Sequence, residues 1–135
     1  HLDEAHSWID RSLAVNRNFV SLCMKSDILD RSGNASGAAK VLDEAIAGAK
    51  ESDVISYAQT LRRDNRADRA VAILEQFEVK HDGSWSISRS LGESYDAAGD
   101  RAKALSHLNE ALEKAPGEAE KEEIRKVIQA VNERK

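Results

Sequence analysis

The sequence predicts an all-α fold built as an array of antiparallel helical hairpins. The first observation behind this is a repeat. Gly33, Ala38, Leu42, Ala45 and Ile46 recur as Asn65, Ala70, Leu74 and Phe77, and again as Gly99, Ala104, Leu108, Ala111 and Leu112. The equivalent alanines stand 32 and then 34 residues apart. A period of this size with helical spacing inside it is the signature of stacked hairpins. A partial copy lies upstream at Ala5, Ile9, Ser12 and Leu13. The second observation is composition. Ala, Leu, Glu, Lys and Arg are plentiful, aromatics make up 4%, and there is 1 proline. That favours helix, and no alternating run of Val, Ile and Thr suggests a sheet. The third is loop length: every connection is short, so consecutive helices become antiparallel neighbours.

Eight helices follow in order. The first covers about Leu2 to Val15, with Trp8, Ile9 and Leu13 on its apolar side, and Asn16-Arg17-Asn18 breaks it. The second covers about Phe19 to Ser32 and stops at Gly33, a natural left-handed terminus. The third carries Ala38, Val41, Leu42, Ala45 and Ile46, a stripe that suits a buried face. The fourth spans about Asp53 to Asp64, with Val54, Tyr57, Ala58 and Leu61 inward.

The fifth runs from about Ala67 to Lys80, with Ala70, Ile73, Leu74 and Phe77 as its stripe. His81-Asp82-Gly83 turns the chain, and Ser84 caps the sixth helix. That helix bears Trp85, Ser88, Leu91, Gly92 and Tyr95 and ends at Gly99. Asp100 caps the seventh, which reaches about Lys114 before Pro116-Gly117. The eighth, about Glu118 to Glu133, has Ile124, Val127, Ile128 and Val131 on one face and charged groups on the other. A terminal helix with that split suits a cap on a repeat array.

Composition also excludes. A net charge of −4 argues against a nucleic-acid groove. No apolar run approaches the ~20 residues of a membrane span, so no membrane insertion is expected. A lone Cys23 makes no internal disulfide and leaves the redox compartment open. The chain starts at His1 rather than Met. It reads as a fragment, a processed product or an expressed segment, and the orphan first helix suggests that the array continues upstream of Leu2.

Little in the sequence points to catalysis. His1, His6, His81 and His107 are scattered, without the paired spacing of a metal-binding helix. His107 and Glu110 lie one turn apart and read as a solvent-facing pair. Cys23 has no nearby His and reads as a packed thiol. Gly33-Asn34-Ala35-Ser36-Gly37 lacks the Gly-Lys-Ser/Thr ending of a phosphate loop. Trp8 and Trp85 read as core. No catalytic residue, cofactor or metal is expected.

Leu91-Gly92, Tyr95, Gly99, Ala104, Leu108, Ala111-Leu112 and Pro116 together resemble the tetratricopeptide repeat almost position for position. The small residues Gly92 and Ala104 would let the two helices of a hairpin approach closely. The copy over 51–84 departs: Leu61 stands for Tyr, Asn65 for Gly, Phe77 for the second Ala, and Asp82 for Pro. In the copy over 19–50, Ser26 and Lys50 depart. The resemblance implies one domain over 1–135. It comprises the second helix of a partial repeat (1–16), repeats over 19–50, 51–84 and 85–117, and a capping helix (118–135). It also implies a right-handed superhelical array, a TPR-like α-solenoid.

A narrower similarity rests on Asn18-Phe19, Gly33, Tyr57, Trp85, Gly99-Asp100 and Ala115-Pro116. These resemble the helical C-terminal region of a group of exported bacterial proteins of unknown function. That resemblance implies a periplasmic or secreted location; without it the expectation is cytoplasmic.

In the tetratricopeptide family the first helix of each hairpin lines a concave groove. Carrying those positions over gives Cys23, Asp27, Asp30 and Arg31, then Ile55, Ser56, Gln59, Arg62 and Arg63, then Ser86, Arg89, Ser90, Glu93 and Asp96. The set would suit a polar peptide, with Arg62, Arg63 and Arg89 able to grip a carboxylate. The bland alternative is that Arg62 pairs with Glu93, and Arg66 and Arg69 with Asp64 or Asp68, as surface pairs worth about 0–1 kcal/mol. The family's chaperone-tail clamp is absent: Cys23, Asp27, Ser56, Ser86 and Ser90 occupy its positions. The expected function is a protein-interaction scaffold that docks a peptide or domain on the concave face. The alternative is a structural domain that packs against a preceding domain or self-associates.

Overall fold

A computed structural model describes residues 19–81 and 84–134. Seven α-helices account for nearly all of them, and no strand occurs among the described residues. They are α1 (Phe19–Arg31), α2 (Ala35–Ala47), α3 (Glu51–Arg63), α4 (Ala67–His81), α5 (Trp85–Ala97), α6 (Arg101–Lys114) and α7 (Glu118–Glu133). The helix expected over about Leu2 to Val15 lies outside the described residues, as do Asp82 and Gly83 of the expected turn. None of the seven is long and apolar enough to cross a membrane.

The repeat is visible first in the turns. Gly33, Asn65 and Gly99 follow α1, α3 and α5 with φ of 88°, 61° and 91°. Each turn makes the same pair of backbone bonds. The amide of the next residue reaches back to Leu29, Leu61 and Tyr95 at 2.8, 2.8 and 2.9 Å. The amides of Gly33, Asn65 and Gly99 themselves donate to Asp30, Arg62 and Asp96. This is the Schellman motif, and it satisfies carbonyls that a helix end would otherwise leave unpaired. Asn65 holds the left-handed position because Asn tolerates it better than other side chains. Two of the following helices open on a side-chain cap: Asn34 accepts from the Gly37 amide and Asp100 from the Lys103 amide.

Contacts divide the chain into two compact units, one ending at Asp53 and one running from Val54 onward. In the first, α1 packs on α2. Phe19, Leu22 and Cys23 are buried on α1, and Ala38, Leu42, Ala45 and Ile46 on α2. Ser26, 1% exposed, stands at the position that Gly92 holds in the third copy, and its hydroxyl donates to the Ala38 carbonyl at 2.7 Å. The polar replacement is therefore hydrogen-bonded inside the α1–α2 contact.

In the second unit α4 packs on α5, α5 on α6, and α7 on both α6 and α5. The close approach of α5 and α6 depends on Gly92. A Cβ there would lie 2.5 Å from Leu108 Cγ and 3.1 Å from the Ala104 carbonyl. Gly92 is equivalent to Ser26 and Ala58, so all three copies bury a small residue at this point. The apolar stripe of α7 covers α6. Val131 clusters with Ala104 and Leu108, Ile124 with Ala111 and Ala115, and Val127 and Ile128 pack alongside. Trp85 is half-buried against the Ile124 cluster, as its helical spacing suggested.

Candidate functional site

Of the nine residues singled out for a binding face, three lie on α1 in the first unit. Asp27 and Arg31 pair at 3.4 Å, and Asp30 is exposed. Cys23, which shares that helix, is 0% exposed and so offers no surface. The other six, Gln59, Arg62, Arg63, Arg89, Glu93 and Asp96, come together in the second unit on α3 and α5.

Five of those six line an open pocket of ≈ 660 Å³ whose remaining wall is α7. An adjoining pocket of ≈ 230 Å³ shares Gln59, Arg62 and Glu93 and extends to Arg89, Ile55 and Trp85. The surface is thus continuous across α3, α5 and α7.

Arg62 anchors this surface. Its side chain is 13% exposed. One guanidinium nitrogen donates to the hydroxyls of Ser94 at 3.0 Å and Ser90 at 3.3 Å, and another lies 3.8 Å from Glu93. Burial lowers its pKa from the usual arginine value, Glu93 opposes that, and Arg89 adds to it. An ion pair between Arg62 and Glu93 is therefore present. The hydroxyls of two buried serines accept its hydrogen bonds, and Ser90 is buried beneath the surface rather than displayed on it.

Arg89 is also engaged. It meets Glu93 at 3.0 Å and Glu123 of α7 at 3.2 Å, and so ties α5 to α7. Arg134 pairs with Asp96. Arg63 is different: it is exposed and donates to the Thr60 hydroxyl at 3.3 Å.

Sequence reasoning missed the α7 contribution. Lys126, Val127, Ala130 and Arg134 line the larger pocket. The available signal was the four-residue spacing of Lys126, Ala130 and Arg134, which puts them on one helical face. In the sequence that face is simply the charged side of an amphipathic helix.

A second polar cluster lies where α4, α5 and α6 meet. The Tyr95 hydroxyl donates to Glu75 at 2.5 Å, and its ring stacks on His107 with centroids 5.3 Å apart. The bond to Glu75 is the largest cause of a Tyr95 pKa pushed up to about 12; burial and the Glu75 charge add to it. His107 Nδ1 is 3.8 Å from Glu110. Among the described residues no group of three His, Cys, Asp or Glu side chains is placed to hold a metal ion.

No protein-family model, curated protein or solved structure matches this chain.

Proposed function

We propose that this chain is a protein-interaction module of the tetratricopeptide kind. Its hairpins form a right-handed superhelical array. It docks a peptide segment reversibly on the face formed by the first helices of the hairpins, with no chemistry of its own. Three turns with a left-handed residue at the same position and the same backbone bonds support the repeat reading. The buried small residue before each turn supports it too. The observation that carries the function is the ≈ 660 Å³ pocket, open to solvent and walled by α3, α5 and α7. Its lining mixes charged groups with Gln59, Ala97, Val127 and Ala130, which suits a polar peptide with small apolar contacts.

The test is peptide selection on the immobilised chain and on a Gln59→Trp variant, with helicity matched by circular dichroism. Gln59 is exposed and lines both pockets, so the indole fills the site without altering its charge. Peptides enriched on the original and lost on the variant support the proposal. No enrichment, or binding indifferent to the substitution, contradicts it.

A further inference from the structure

The charges that line the larger pocket do not cancel. Arg62, Arg63, Lys126 and Arg134 face it, against Glu93 and Asp96. Asp96 is taken by Arg134, and Glu93 is shared between Arg62 and Arg89. Arg63 and Lys126 are left: among the described residues neither forms an ion pair. This cationic surplus sits on a chain whose net charge is −4.

The lining also discriminates between anions. Among the described residues no aromatic side chain lines this larger pocket, so a nucleobase seated in it would find no stacking platform from them. Glu93 and Asp96 at the same wall oppose the denser charge of a phosphate. A carboxylate carries one charge and fits the fork of Arg63 in two parallel hydrogen bonds. Gln59 can both donate to and accept from a peptide backbone.

We propose that the pocket takes an acidic peptide segment, with Asp or Glu carboxylates held by Arg63 and Lys126 and the backbone set against Gln59. This rests on the interaction reading above and names the partner's chemistry. Arg62 contributes field rather than contact, because its side chain is 13% exposed and one guanidinium nitrogen is held by Ser90 and Ser94.

The experiment is fluorescence anisotropy with a labelled Glu/Ser octapeptide, its Gln/Ser isostere, its Lys/Ser counterpart, and a phosphoserine peptide of equal charge. The acidic peptide is expected to bind best and to weaken as salt rises. An Arg63→Gln, Lys126→Gln variant should lose about tenfold in affinity, equivalent to about 1.4 kcal/mol. A Lys40→Gln, Arg125→Gln variant removes the same charge outside the pocket and should keep the original affinity. Equal binding of acidic peptide and Gln isostere, equal loss in both variants, or preference for the phosphopeptide would overturn the proposal. If neutral or basic peptides bind and are lost on Gln59→Trp, the interaction function stands and the acidic partner falls. If no peptide of any composition binds, both fall.

Discussion

At the residue scale, Asn65 tests whether the second copy is the same device as its neighbours. It holds φ of 61° where Gly33 and Gly99 hold 88° and 91°. Asn65→Gly should leave the melting temperature unchanged or raise it, since glycine enters this region without steric cost. Asn65→Val should lose about 1–2 kcal/mol in urea unfolding, because a β-branched residue clashes there. Tyr95 supplies a pH test. The unfolded phenol ionises near 10.0 and the folded one at about 12, so the fold favours the neutral form. Its stabilising contribution is whole below pH 10 and is lost as pH rises through about 12. Ultraviolet difference titration should show a tyrosine ionisation step at about pH 12, and Tyr95→Phe should remove that step. A late step that persists in Tyr95→Phe, or its absence from the original chain, would contradict the bond to Glu75. Single residues were legible where local chemistry dictates them, as at Gly33, Ser84 and Asp100. Ser26 was read as a departure, because a hydrogen bond to Ala38 twelve residues on leaves no mark in the local pattern.

At the element scale, the fit of α5 on α6 leaves no room for a side chain at Gly92. Gly92→Ala places a methyl against Leu108 Cγ and the Ala104 carbonyl. Both neighbours belong to a packed core, so the substitution should cost about 1–3 kcal/mol. Chemical denaturation reads this directly, and an unchanged midpoint would show that the helices part without cost. The helical stripes were plain in the sequence because burial on one face imposes the 3.6-residue period. The face of α7 that lines the pocket was not. Lys126 and Arg134 look solvated in any amphipathic reading. Only the packing of Val131 and Ile124 onto α6 sets the rotation that brings them beside α3 and α5.

At the scale of the whole molecule, the described residues are helical throughout and fall into two packed units. Six of the nine candidate site residues meet on one surface of the second unit, and Asp27, Asp30 and Arg31 belong to the first. A periodic sequence tells which faces are buried. It does not tell which of the exposed charges neutralise one another, because an ion pair such as Arg89–Glu123 spans two helices. The proposed function depends on the charges left over. The most direct measurement is an amide-resolved NMR titration of the chain with the Glu/Ser octapeptide. Saturable shifts centred on Gln59, Arg63, Glu93 and Lys126 are the predicted result. Shifts centred instead on the exposed faces of α4 and α6, or no saturable shift at any amide, would contradict the assignment of this pocket as the binding site.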